Sequence, residues 1–136
     1  MGLFKKLFKQ QDQNKTKKQL PWIHLSTLTQ LSEIEEHSIS KTQLIFKHST
    51  RCGISRMVKK QFENDFDPSL NIDLFYLDLL KFRNVSNEIE SKFQISHESP
   101  QIIIIKNGNM NILEKKKKQN FCYLASRLAI CLFLQT

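Results

Sequence analysis

Three short apolar runs punctuate the middle of this chain: Leu44-Ile45-Phe46, ending at Lys47, then Ile72 to Leu77, and Ile102-Ile103-Ile104-Ile105. Runs of this length bounded by polar turns predict buried strands. Ile72–Leu77 shows little alternation, which suits a strand covered on both faces, as in a parallel sheet. The isoleucine run is expected to be a central strand. Between these runs apolar residues recur every three or four positions, the period of a half-buried helix. Leu28, Leu31 and Ile34 predict a helix capped by Ser26 or Thr29 and ending near His37. Ile54, Met57, Val58, Phe62 and Phe66 predict a second helix, stopped by Pro68. Ser86 is expected to cap a third, with Ile89 and Phe93 facing inward. Asn107-Gly108-Asn109 predicts a tight hairpin into Met110–Leu113. The order is helix, strand, helix, strand, helix, strand, hairpin, strand. It predicts an α/β domain in which two β-α-β crossovers precede an antiparallel hairpin, a central mixed sheet with helices on both faces.

The domain is expected to span residues 21–113, beginning at Pro21-Trp22-Ile23. Residues 1–20 read as a basic flexible tail, with Leu3, Phe4, Leu7 and Phe8 as the basis of a weak membrane-surface contact. Residues 114–136 hold a lysine run, 115–118, and an apolar terminal helix over Phe121–Leu134. That helix could close the fold, form an interface or be foreign to the fold. It spans about 14 residues and contains Arg127, fewer than the roughly 20 a membrane crossing needs. Lys6 stands where a myristoylation signal needs Ser or Thr, and Lys5-Lys6 interrupts any secretory leader.

The 136 residues carry a formal net charge of +8, which invites a nucleic-acid reading. Its location argues against one. Residues 21–113 hold 10 Lys and Arg against 11 Asp and Glu, a balance of −1, so the excess lies in the two flanking segments. Nucleic acid is therefore an unlikely partner for the domain itself. Three cysteines, Cys52, Cys122 and Cys131, form neither an even disulfide framework nor a Cys-x-x-Cys pair, and they lack zinc-ligand spacing. The expectation is a reducing cytoplasm, no metal and no bound cofactor.

The candidate chemistry lies at Lys47-His48-Ser49-Thr50-Arg51-Cys52-Gly53-Ile54-Ser55. A strand turns through polar residues and delivers one cysteine to a helix start. Unpaired N–H groups and the positive end of the dipole favour an anion there, so a thiol so placed tends toward thiolate. Ser55 occupies the place of a resolving cysteine; its hydroxyl could donate a hydrogen bond to sulfur but cannot close an internal disulfide. Exchange would then finish on an outside thiol, or on Cys122 or Cys131. Those two more simply serve packing, being nine apart on different helical faces. Pro100, just before the isoleucine strand, is expected to follow a cis bond, which would expose the Ser99 backbone beside Cys52 for strand-like pairing with a substrate. Thr50, Arg51, Gly53 and Ser99 are the candidate substrate-contacting residues. His48 reads as a surface or loop histidine, since no carboxylate pairs with it in sequence.

This nine-residue string resembles the YtxJ family, the monothiol bacilliredoxins of bacteria, whose motif is close to His-Ser-x-x-Cys-Pro-Ile-Ser. The resemblance continues through Phe75-Tyr76-Leu77-Asp78 and His97-Glu98-Ser99-Pro100-Gln101, covering roughly residues 20–113. It departs at Gly53, where the family commonly carries proline, and from Glu114 onward. It implies a thioredoxin fold, with Cys52 as the attacking thiol, Ser55 at the family's serine position and Pro100 as the cis-proline. It further implies exchange of bacillithiol or a similar low-molecular-weight thiol off client proteins as mixed disulfides. The alternative is a non-catalytic thioredoxin-fold binding module.

Overall fold

A computed structural model describes residues 19–113, and five strands and three helices account for most of them. In chain order these are β1 (Ile23–His24), α1 (Leu28–His37), β2 (Thr42–His48), α2 (Gly53–Asp65), β3 (Ile72–Asp78), α3 (Arg83–Phe93), β4 (Gln101–Lys106) and β5 (Asn109–Leu113). The sheet order is β1-β3-β2-β4-β5. β3 lies parallel to both β1 and β2, whereas β4 runs antiparallel to β2 and to β5. The features expected of residues 1–18 and 114–136, among them most of the basic tail, the terminal helix, Cys122 and Cys131, lie outside the described residues.

The mixed α/β sheet is as predicted, but its crossovers are not the predicted pair. The two β-α-β units are β1-α1-β2 and β2-α2-β3. The first begins at β1, two residues long and too short to show any period. The expected second crossover, from β3 through α3 to β4, fails because β4 is antiparallel. Its first residue, Gln101, pairs with Lys47 near the end of β2 where β3 also finishes. Seven residues, 94–100, return the chain to the end of the sheet at which α3 begins, and an extended segment of that length can span about 23 Å.

The two sheet faces build two cores because alternate strand residues point to opposite sides. Leu44 and Phe46 of β2, Leu74 of β3, and Ile102 and Ile104 of β4 pack with Val58, Phe62 and Phe66 of the α2 side. Leu20 joins them, so packing begins one residue before Pro21. Ile45, Phe75, Leu77, Ile103 and Ile105 face the other way, against Leu31 and Ile34 of α1 and Val85 and Ile89 of α3. Burying each such side chain contributes about 1.5–3 kcal/mol.

Caps and turns fix the ends. Thr27, between the two predicted caps, starts α1 in a reciprocal box with Gln30. Ser86 does not cap α3; it lies buried inside the helix, and Phe82 precedes the first turn without a side-chain cap. Instead Asp78 Oδ1 accepts the N–H groups of Leu80 and Lys81. The hairpin follows the sequence: Asn107 (φ 54°) and Gly108 (φ 68°) are both left-handed, as a two-residue turn of this twist requires. Three residues expected inside face solvent: Leu28 on α1, and Ile54 and Met57 on α2.

Candidate functional site

Cys52 is the N-cap of α2, with extended backbone (φ −98°, ψ 119°). Its carbonyl accepts the Arg56 N–H at 3.2 Å, the first bond of the helix, while its own N–H donates to the Ser49 carbonyl at 3.1 Å. That second bond curls residues 49–52 into a turn. Cys52 is free and half-buried, and no side-chain hydrogen bond caps the helix. The first-turn N–H groups therefore point toward the sulfur end without intrahelical acceptors. Thr50, Arg51 and Gly53 around it are all exposed.

Ser55 sits one turn into α2 but faces inward, fully buried. Its oxygen accepts the Ser49 N–H at 3.1 Å and stands 2.8 Å from Nδ1 of His48. Burial pushes the His48 imidazole below its ordinary value, and the Lys59 and Arg56 charges push the same way against Asp78 and a hydrogen bond with the Ser55 backbone. The contacts with His48 and Ser49 tie Ser55 to the last residue of β2 and to the turn that follows it. The hydroxyl expected to serve sulfur therefore also holds the loop.

His48 corrects the sequence reading most directly. It is buried rather than on the surface, and its ring lies 5.5 Å from that of Tyr76 and 6.2 Å from that of Phe46. The signal was present in the alternation: His48 shares parity with Leu44 and Phe46, so it continues their inward face. Lys47 has the parity of Ile45 and enters the opposite core, where it is fully buried. Its Nζ lies 3.4 Å from Nδ1 of His97, which in turn lies 3.4 Å from the Ser86 hydroxyl. Burial lowers the Lys47 ammonium below its usual range, against the pull of Glu90.

The second predicted element converges on the same end of the sheet. Since Gln101 pairs with Lys47, Pro100 falls level with His48 and so beside the turn that carries Cys52. The Ser99–Pro100 peptide is cis, as the sequence suggested, and Pro100 is buried. Side chains tie residues 94–100 to the sheet: Gln101 Nε2 donates to the Ser96 carbonyl at 3.1 Å, and His97 reaches Lys47 and Ser86. The Ser99 hydroxyl is buried with no hydrogen-bond partner. Cys52, Ser55, Ser99 and Pro100 thus gather at one end of the sheet, with Thr50, Arg51 and Gly53 on its rim. Among the described residues no group of three His, Cys, Asp or Glu could hold a metal, and no helix is long and apolar enough to cross a membrane.

Comparison with known proteins agrees with this arrangement. A solved chain described as an oxidoreductase candidate with a thioredoxin fold is 32% identical, covering 65% of this chain and 77% of its own at a TM-score of 0.57. Thioredoxin from Trypanosoma brucei brucei superimposes with a TM-score of 0.61 over 90% of this chain and 97% of its own at 15% identity. Schistosoma mansoni thioredoxin gives 0.51 over 66% and 78% at 24% identity. The last two share the fold alone. The family model for the monothiol bacilliredoxin BrxC matches residues 23–120, which include every candidate site residue named above. A single cysteine at a helix start, a cis-proline at the same end of the sheet and this match together place the chain in the monothiol bacilliredoxin family, thioredoxin-fold proteins of thiol–disulfide redox chemistry.

Proposed function

We propose that this protein removes a low-molecular-weight thiol from client-protein cysteines through a mixed disulfide on Cys52. The supporting observation is the pairing of a free, half-buried cysteine at the N-cap of α2 with a serine, not a second cysteine, one turn later. In the first step the Cys52 thiolate attacks the small-thiol sulfur of a client–S–S–R disulfide. The client leaves as its thiolate and Cys52–S–S–R remains. A second R–S⁻ then attacks that disulfide, releasing R–S–S–R and regenerating Cys52, so electrons balance without a bound cofactor. Cys52 acts as nucleophile. The Ser99 backbone next to Pro100 pairs with the client like an added strand, and Thr50, Arg51 and Gly53 contact it at the rim. Bacillithiol is the thiol that family membership favours, and a reducing cytoplasm is the compartment that suits an unpaired catalytic cysteine.

Incubation with a client carrying a bacillithiol mixed disulfide tests this by intact mass. The adduct is expected on Cys52, with one equivalent of free client thiol released, and Cys52→Ser should abolish both. A double variant lacking Cys122 and Cys131 should still turn over with excess thiol. A client adduct that persists, or that moves to another cysteine, overturns the assignment.

A further inference from the structure

The rim of Cys52 is chemically uneven in a way the exchange reaction alone does not need. Ile54 and Met57, read from the sequence as core residues, are 62% and 61% exposed on the first two turns of α2. They are three apart and so share one helical face. Arg51 beside Cys52, and Arg56 and Lys60 on the same helix, are exposed, and none of the three forms a salt bridge among the described residues. Residues 49–60 contain Arg51, Arg56, Lys59 and Lys60 but no Asp or Glu. Lys59 is the exception to the free charge, being paired with Glu63. Of the neighbouring segments at this end of the sheet, 78–83 and 96–100 contribute Asp78, Glu98, Lys81 and Arg83, which cancel, and 25–27 after β1 carries no charge. The domain as a whole is one charge negative between residues 21 and 113. The local excess at the thiol is therefore a feature of this rim and not of the domain.

We infer that this rim selects client cysteines flanked by acidic residues beside an apolar one. The apolar neighbour covers Ile54 and Met57, and the acids meet Arg51, Arg56 and Lys60. This rests on the reading of Cys52 as the exchanging thiol and names its substrate class. Charge of this kind raises encounter rates with oppositely charged partners and is screened by salt. A peptide suits the rim better than a nucleic acid, because the exposed residues between the cations are aliphatic and offer no aromatic platform for bases.

Two peptide mixed disulfides of one small thiol test the inference, identical except that the cysteine and its adjoining leucine are flanked by aspartates in one and lysines in the other. The full-length protein should exchange with the acidic peptide roughly tenfold faster at low salt, and the ratio should fall toward one as ionic strength rises. Arg56→Glu with Lys60→Glu should collapse or invert the ratio; because the readout is a ratio, a variant that merely slows all exchange would not move it. A neutral small disulfide serves as reference. A ratio near one while that reference still exchanges overturns the inference and leaves the proposed function standing. Absence of exchange with every disulfide overturns the function itself, and the inference with it. If a single-stranded oligonucleotide of equal charge inhibits as strongly as the acidic peptide, the rim is a general polyanion site and the client assignment fails.

Discussion

The Ser55 hydroxyl and Nδ1 of His48 stand 2.8 Å apart, both buried beneath the turn that carries Cys52. Ser55 also accepts the Ser49 N–H, so one oxygen joins the last residue of β2, the turn and the first turn of α2. Ser55→Ala would strand a buried ring nitrogen and a backbone N–H together. The expected loss is about 1–3 kcal/mol of unfolding free energy. Urea unfolding followed by the fluorescence of Trp22, the one tryptophan, measures it; Trp22 packs on Phe46, Phe62 and Tyr76. A change near zero would mean that this contact does not hold the turn.

Acid should weaken the fold through His48. Burial, then Lys59, lowers its folded value, so below the ordinary 6.5 the unfolded chain binds the extra proton first. Stability is therefore fully present above about pH 6.5 and declines as pH falls from there toward the folded value. His97 has the same sign, though its exposure limits its share. Asp73 acts lower: burial pushes its carboxyl up, but hydrogen bonds from Lys41 and Gln43 outweigh that and hold it below 3.8. Unfolding free energies at pH 7.5 and 5.5 should differ in the native protein and differ less in His48→Gln. Equal slopes in the two proteins would count against His48.

Lys47 should act at the alkaline end. Its ammonium is lowered chiefly by burial, so between its folded value and 10.5 the unfolded chain holds more protons and stability rises with pH. Tyr76, raised by burial, opposes this near pH 10 and is common to both proteins in a comparison. Lys47→Met keeps the length of the side chain and removes the buried charge. The variant is expected to be as stable as the native protein or more so at pH 7. It should also lack the native rise in stability as pH climbs toward 10.5. A large loss at pH 7 would instead assign the His97 contact a dominant role in anchoring residues 94–100.

Gly53→Pro should stabilise the protein. Gly53 is the first residue of α2, where proline's fixed φ suits the helix and its missing N–H costs nothing. A Cβ there meets no atom within 4 Å, and the Cys52 backbone at ψ 119° already has the extended form required before proline. The gain expected is about 0.4–1 kcal/mol, mainly from a less flexible unfolded chain. Thermal unfolding of the two proteins side by side checks it, and destabilisation would mean that the turn needs glycine.

How much of this was legible depends on whether a feature is local. Cys52 at a helix start and the Asn107-Gly108 turn each depend on a few adjacent residues and are legible in the sequence. The cis Ser99–Pro100 bond was legible only by joining Pro100, before the isoleucine strand, to the distant Cys52 loop. His48 was missed because its burial depends on the whole of β2. Its alternation with Leu44 and Phe46 carried the information, and the following polar turn masked it. Ile54 and Met57 fit a helical period yet face solvent, since a period describes a stripe without saying how wide the partner surface is. The sheet covers Ser55, Val58 and Phe62 and leaves the stripe's edge bare.

The chain by itself determined the three helices and the four longer strands, where the lone thiol sits and that a serine follows it, because periodicity, turn chemistry and side-chain identity are properties of neighbours along the backbone. Only the folded molecule decided that β4 runs against β2, that β1 exists, and that Ser55 binds His48. Those outcomes turn on hydrogen-bond pairing and burial between residues far apart in sequence, and an apolar run is the same whichever way its strand points.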